Sequence, residues 1–243
     1  MSRVFPKIPL GAILLACAPS YADLNVSANV TLTTDYVSQG ISQTQGRPAL
    51  QGSIDLSGPG GLYAGLWASN VDFKEIPSED TADRASLEVD VFVGAAGQVG
   101  RLGGDIGVAY YAYPGADKDL HYDYWEVAGL LSRELGLLSV SAGLAYSPEY
   151  IGRSGKEMYY SLDLALTGPE EVRFGLHMGR ENIEDNIAYG VHDYTDWKVS
   201  AFKDFDGFGI ELGYTDTDLS DAECFDGSNL CGPRVALTVS RTL

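Results

Sequence analysis

The chain has 243 residues, enough for one large domain or two small ones. Acidic side chains outnumber basic ones 34 to 16, for a net charge of −18 at pH 7. Such a surface repels nucleic acid and anionic lipid headgroups, so neither is expected as a partner.

Residues 1–22 read as a signal peptide. Arg3 and Lys7 give a basic start, residues 10–18 (LGAILLACA) an apolar core too short to span a bilayer, and Ser20-Tyr21-Ala22 a cleavage site after Ala22. Leu14-Leu15-Ala16-Cys17 offers a competing lipoprotein signal, which Leu15 fits poorly. Cleavage removes two basic residues and no acidic one, so the net charge moves from −18 to −20. Residues 23–243 are then an exported domain, and no stretch within them is long and apolar enough for a transmembrane helix.

What recurs instead is strict polar/apolar alternation over about ten residues, closed each time by turn residues. It predicts twelve strands, at 24–37, 48–57, 61–72, 85–97, 102–113, 122–133, 137–147, 157–167, 171–180, 193–204, 207–217 and 234–243. Val26, Ala28, Val30 and Leu32 form the apolar side of the first. The phase of 61–72 is ambiguous, because Leu66 and Trp67 compete for the outer face. The connections alternate in length: six long loops, the first being SQGISQTQGRP, and five short turns, the first being SGPGG. An even count with loops sorted to two ends predicts a transmembrane antiparallel β-barrel of the bacterial outer membrane, with short turns in the periplasm. Tyr36, Tyr110, Tyr111, Tyr113, Tyr122, Tyr124, Tyr146, Tyr159, Tyr160, Tyr194, Tyr214, Trp125 and Trp197 lie near the long-loop ends, and Tyr63, Phe174, Phe202 and Phe208 near the short turns. Both sets are expected to form interfacial girdles.

Cys224 and Cys231 in the last long loop (CFDGSNLC) read as a disulfide in an oxidising export compartment, with two free thiols as the alternative.

The run TDYVSQGISQTQGRPALQGSIDL at residues 34–56 resembles the N-terminal signature of the TorF-type outer-membrane porins, the Gcw_chp family. LYAGLWASNVDF, YYAYPGA and DYTDWKVS add to the resemblance, which covers essentially the whole mature chain. It implies a barrel of channel type, delivered by the barrel-assembly machinery. Two positions depart from the pattern: Gln39 stands where Arg is usual, and Leu243 closes a strand that commonly ends on an aromatic residue.

No enzyme is expected. His121 and His192 fall in long loops, and His177 is in phase with Arg173 and Gly175, pointing inward. His192-Asp193 superficially resembles part of a barrel protease, but acidic residues are common in these loops. Asp216, Asp218, Asp221 and Glu223 match no complete calcium loop, so no metal and no cofactor is assigned. The inward phase collects Asp35, Asp55, Glu88, Asp90, Asp105, Glu126, Asp163, Asp196 and Glu211 against Arg173 and Lys198. Carboxylates in excess around a narrow lumen favour cations over anions. The expected function is a passive channel for small cationic or neutral solutes, with outer-membrane lipid around it. The alternative is a plugged barrel that serves as a structural or surface-binding protein.

Overall fold

The computed structural model describes residues 24–73, 85–225 and 227–243. The expected signal peptide and the middle of the second long loop lie outside them. The described residues form fourteen strands: β1 Asn25–Thr33, β2 Val37–Ser38, β3 Ile41–Ser42, β4 Ala49–Ser57, β5 Leu62–Asn70, β6 Leu87–Val99, β7 Leu102–Ala112, β8 Tyr124–Leu135, β9 Leu138–Ser147, β10 Glu157–Thr167, β11 Arg173–Ile183, β12 Tyr194–Phe205, β13 Phe208–Thr217 and β14 Arg234–Thr242. Twelve of these make a closed antiparallel barrel. Each is paired with its neighbours in order from β4 to β14, and β1 bridges β14 and β4. Closure leaves no sheet edge, so strand amides find partners without water, as hydrocarbon surroundings demand.

All twelve predicted strands are present with small shifts at their ends. The largest change is in the first, which stops at Thr33, not residue 37. The chain then turns inward and forms the short β2–β3 hairpin, with Val37 opposite Ser42. The ambiguous phase of β5 resolves with Leu66 44% exposed on the outer surface and Trp67 buried at 4%. Leu50, Ile54, Leu176, Met178 and Leu212 belong to the same exposed apolar belt. Each such side chain is worth roughly 1.5–3 kcal/mol when moved from water to hydrocarbon, so this belt suits lipid.

The aromatic residues correct the sequence reading. Tyr110, Trp125, Tyr160 and Tyr214 do project from the outer surface. Tyr36, Tyr111, Tyr113, Tyr124 and Tyr194 are buried inside, as are Tyr63 and Phe202 near the short turns. Their phase explains the division. Tyr110 follows Ile106 and Val108 on the apolar side, whereas Tyr111 follows Asp105 and Ala109 on the lumen side. Closeness to the rim does not decide the side a ring takes.

Candidate functional site: the barrel lumen

The lumen has two unlike halves. Over β4–β8 large side chains fill it. Tyr36 meets Trp67 edge-on with centroids 5.5 Å apart, Tyr111 stacks on Tyr124 at 4.5 Å, and Tyr124 meets Tyr150 at 4.7 Å. Buried carboxylates sit among these rings and draw on them for hydrogen bonds. Tyr63 donates to Asp105 at 2.7 Å, Tyr113 to Glu88 at 3.3 Å and Tyr111 to Glu126 at 3.3 Å. Burial first, then the nearby Glu88 and Asp90 charges, raises the phenols of Tyr36 and Tyr113, so they remain neutral donors at ordinary pH.

Over β8–β14 the inward positions are mostly small, including Ala128, Ser132, Ser141, Gly143, Ser161 and Ala165. A cavity of about 600 Å³ opens there. It reaches from Gly136 at a short turn to Gly40 of the inward-folded loop. Register aligns the small residues: Ser132 pairs with Ser141, and Gly143 with Ser161.

Charged groups mark the far wall of this cavity. His177 lies between two carboxylates, with Nδ1 2.7 Å from Asp163 and Nε2 3.1 Å from Asp196. The Tyr159 hydroxyl is 2.8 Å from both His177 Nε2 and Asp196 Oδ1. Lys198 is bonded to Glu211 on the next strand. Near the short turns the Arg173 guanidinium lies 4.2 Å over the Phe202 ring and 3.6 Å from Asp204.

The first long loop forms the ceiling. Asp35 accepts hydrogen bonds from Ser42 at 2.6 Å, Thr44 at 3.0 Å and Arg234 at 3.0 Å. The Ser42 amide donates to the Leu230 carbonyl at 3.0 Å, and the Asp72 amide to that of Gln43 at 2.8 Å. These bonds carry the hairpin from the β1–β4 side toward β12 and β13. Ile41 is buried there with Val191, Tyr194 and the cysteines. Cys224 and Cys231 form a disulfide, and Thr217 Oγ1 donates to the Cys231 carbonyl at 2.7 Å.

Of the eleven residues placed inward from the sequence, Asp35, Glu126, Asp163, Arg173, Asp196, Lys198 and Glu211 border the cavity. Asp55, Glu88, Asp90 and Asp105 are buried outside its lining. Sequence reasoning missed Tyr159, the buried Glu157 and Glu181, and Arg234. The first three continue the inward phases of β10 and β11 and were readable on that basis. The reach of Arg234 to Asp35, 199 positions away, was not. The outer-loop acids are spent locally: Asp193 accepts the Ile183 amide, Asp218 the Thr195 amide, and Glu223 the Ser220 hydroxyl and amide. Among the described residues, no group of three or more His, Cys, Asp or Glu is placed to hold a metal ion.

The sequence matches, over residues 18–243, the family described as "Bacterial protein of unknown function (Gcw_chp)". The chain belongs to that family. None of the curated proteins matches it. Among solved structures, the barrel is similar to the KdgM porin in complex with disordered oligogalacturonate, at a TM-score of 0.56 and 10% identity, covering 88% of this chain and 98% of that one. It is equally similar to the NanC porin, at 0.56 and 11%, covering 90% and 100%. LpxR from Salmonella typhimurium follows at 0.50 and 9%, covering 89% and 99%. The family member thus has the barrel fold of outer-membrane porins.

Proposed function

We propose that the protein is an outer-membrane channel of the TorF type that its sequence resembles, through which small cationic or neutral solutes diffuse. It acts neither as an enzyme nor with a cofactor. Its exposed apolar belt faces outer-membrane lipid, where the barrel-assembly machinery inserts it. The observation that carries this reading is the cavity along β8–β14, which runs from the short turns to the ceiling loop between hydroxyl-bearing and charged walls. A polar path of this kind lowers the cost of carrying a hydrated solute through hydrocarbon. Glu126, Asp163, Asp196 and Glu211 outnumber Lys198 and Arg173 on it, which favours cations.

One observation favours the second reading, a plugged barrel that serves as a structural or surface-binding protein: aromatic rings and the first loop occupy much of the outer mouth. Conductance of the refolded mature protein in a planar bilayer under a salt gradient separates the two. Discrete steps with a cation-selective reversal potential are expected. Glu126→Gln should lower the cation-to-anion permeability ratio by about twofold, as loss of one wall carboxylate requires. Asp90→Asn, outside the cavity lining, should leave the ratio unchanged. A folded barrel that stays electrically silent overturns the channel.

A further inference from the structure

We propose that His177 is the specificity-determining residue of the channel: its proton sets the charge of the cavity wall and, through it, the preference for cations. The inference rests on the channel reading above and adds the group that tunes it.

The geometry around the imidazole is complete in both of its charge states. With both nitrogens protonated, Nδ1 donates to Asp163 at 2.7 Å and Nε2 to Asp196 at 3.1 Å, while the Tyr159 hydroxyl donates to Asp196 at 2.8 Å. With Nε2 deprotonated, the bond to Asp163 remains, and the same hydroxyl, 2.8 Å away, turns its single hydrogen from Asp196 to Nε2, leaving the Asp196 carboxylate to the cavity it borders. Losing the proton therefore leaves no ring nitrogen without a partner, the condition that usually makes such a loss costly in a buried site. Ring nitrogens also change charge nearer physiological pH than any other ordinary side chain.

The neighbours are few enough to count. β10 contributes Asp163 and Tyr159, and β12 contributes Asp196 and Lys198, the latter directly opposite His177 in register. Glu211 of β13 follows through its bond to Lys198. On β11 itself, Arg173 and Glu181 stand four positions away on either side. Across the row from β10 to β13, three carboxylates face one lysine, for a net charge of −2 with a neutral imidazole and −1 with the imidazolium. One proton thus halves the net charge of this row, which shares the cavity wall with Asp35, Glu126 and Arg173. His177, Tyr159, Asp163 and Asp196 all border the cavity, so the change acts on the path itself.

The test is the reversal potential in planar bilayers under a potassium chloride gradient, from about pH 6 to about pH 9.5, a window between ordinary carboxylate and lysine titration. In the wild-type protein the cation-to-anion permeability ratio should rise by up to about twofold across the window, as the row loses its second positive charge. His177→Gln should hold a constant ratio, and Tyr159→Phe, which keeps the imidazole and removes one hydroxyl, should move the midpoint of the rise. Heat-modifiable migration checks that each variant is folded, and Tyr159→Phe carries the test if His177→Gln is not. A flat wild-type ratio, or an equal rise in His177→Gln, overturns the role of His177 while the channel stands. A silent wild-type barrel overturns both.

Discussion

At the scale of single residues, the lumen is organised by what is missing as much as by what is charged. Gly179 sits opposite Asp196 in register and beside Tyr159. A Cβ there would lie 1.9 Å from the Tyr159 hydroxyl and 2.3 Å from Asp196 Oδ1, so the Tyr159–His177–Asp196 network exists only because position 179 is bare. Gly179→Ala is expected to destabilise the barrel by about 1–3 kcal/mol, the usual cost of overpacking. The measurement is reversible urea unfolding in lipid bilayers, with Gly97→Ala as the control because nothing lies within 4 Å of its added Cβ. Equal stabilities for the two variants would mean that Tyr159 is not held where the structure has it. The inward direction of His177 was legible from its phase with Arg173 and Gly175. Its bridging of two carboxylates was not, because Asp163 and Asp196 are 14 and 19 positions away, and only strand register brings them to the same ring.

Among the elements, the strands were the readable part and the first long loop was not. Period-two alternation reports a sheet with one apolar face, and a lipid-facing barrel supplies that pattern without interruption. Loop 34–48 carries no periodicity. Its path is set by contacts with residues far along the chain: Arg234 on Asp35, Leu230 on Ser42, and Thr217 and Asp196 against Gly40. Gly40 has φ +79°, and an added Cβ would fall 2.5 Å from Thr217 Cγ2 and 2.7 Å from the Asp196 Cβ. The same reasoning ties this loop to the disulfide. The Cys224–Cys231 bond closes a loop of sequence separation 7, and the Cys231 carbonyl and Leu230 carbonyl hold Thr217 and Ser42. Replacing both cysteines by serine removes a cross-link worth about 2–3 kcal/mol in loop-closure entropy. The loss is local, so the barrel should keep its heat-modifiable migration while loops 34–48 and 218–233 become open to limited proteolysis. Unchanged protease resistance in the double variant would show that the bonds of Asp35 with Arg234 and of Gln43 with Asp72 hold the hairpin without the disulfide.

For the molecule as a whole, closure of the barrel is not uniform. The seam between β1 and β14 has five register pairs, from Asn29 opposite Thr242 to Thr33 opposite Thr238, continued at its ends by the Thr34 amide on the Leu237 carbonyl and the Leu243 amide on the Ala28 carbonyl. β10 and β11 share eleven, as do β6 and β7. Side chains reinforce the seam, with Thr238 donating to Thr33 at 3.0 Å and Asn29 to Thr242 at 3.4 Å. They do not make up the difference. At roughly 0.5–1.5 kcal/mol net per hydrogen bond, the shorter ladder leaves the seam weaker by several kcal/mol. The twelve-stranded circuit was legible from the sequence, but the weakness of one junction in it depends on stagger, which alternation does not encode. Amide exchange in detergent micelles should therefore begin at β1 and β14, with rates on the order of a hundredfold faster than in β10 and β11. Since the cavity borders Thr33 and Thr238 at the same junction, opening there would widen the path and not merely fray an edge. Exchange that starts in β6–β7 or proceeds evenly around the barrel would remove the seam as the mobile part of the wall and leave the ceiling loop as the element that must move for a solute to pass.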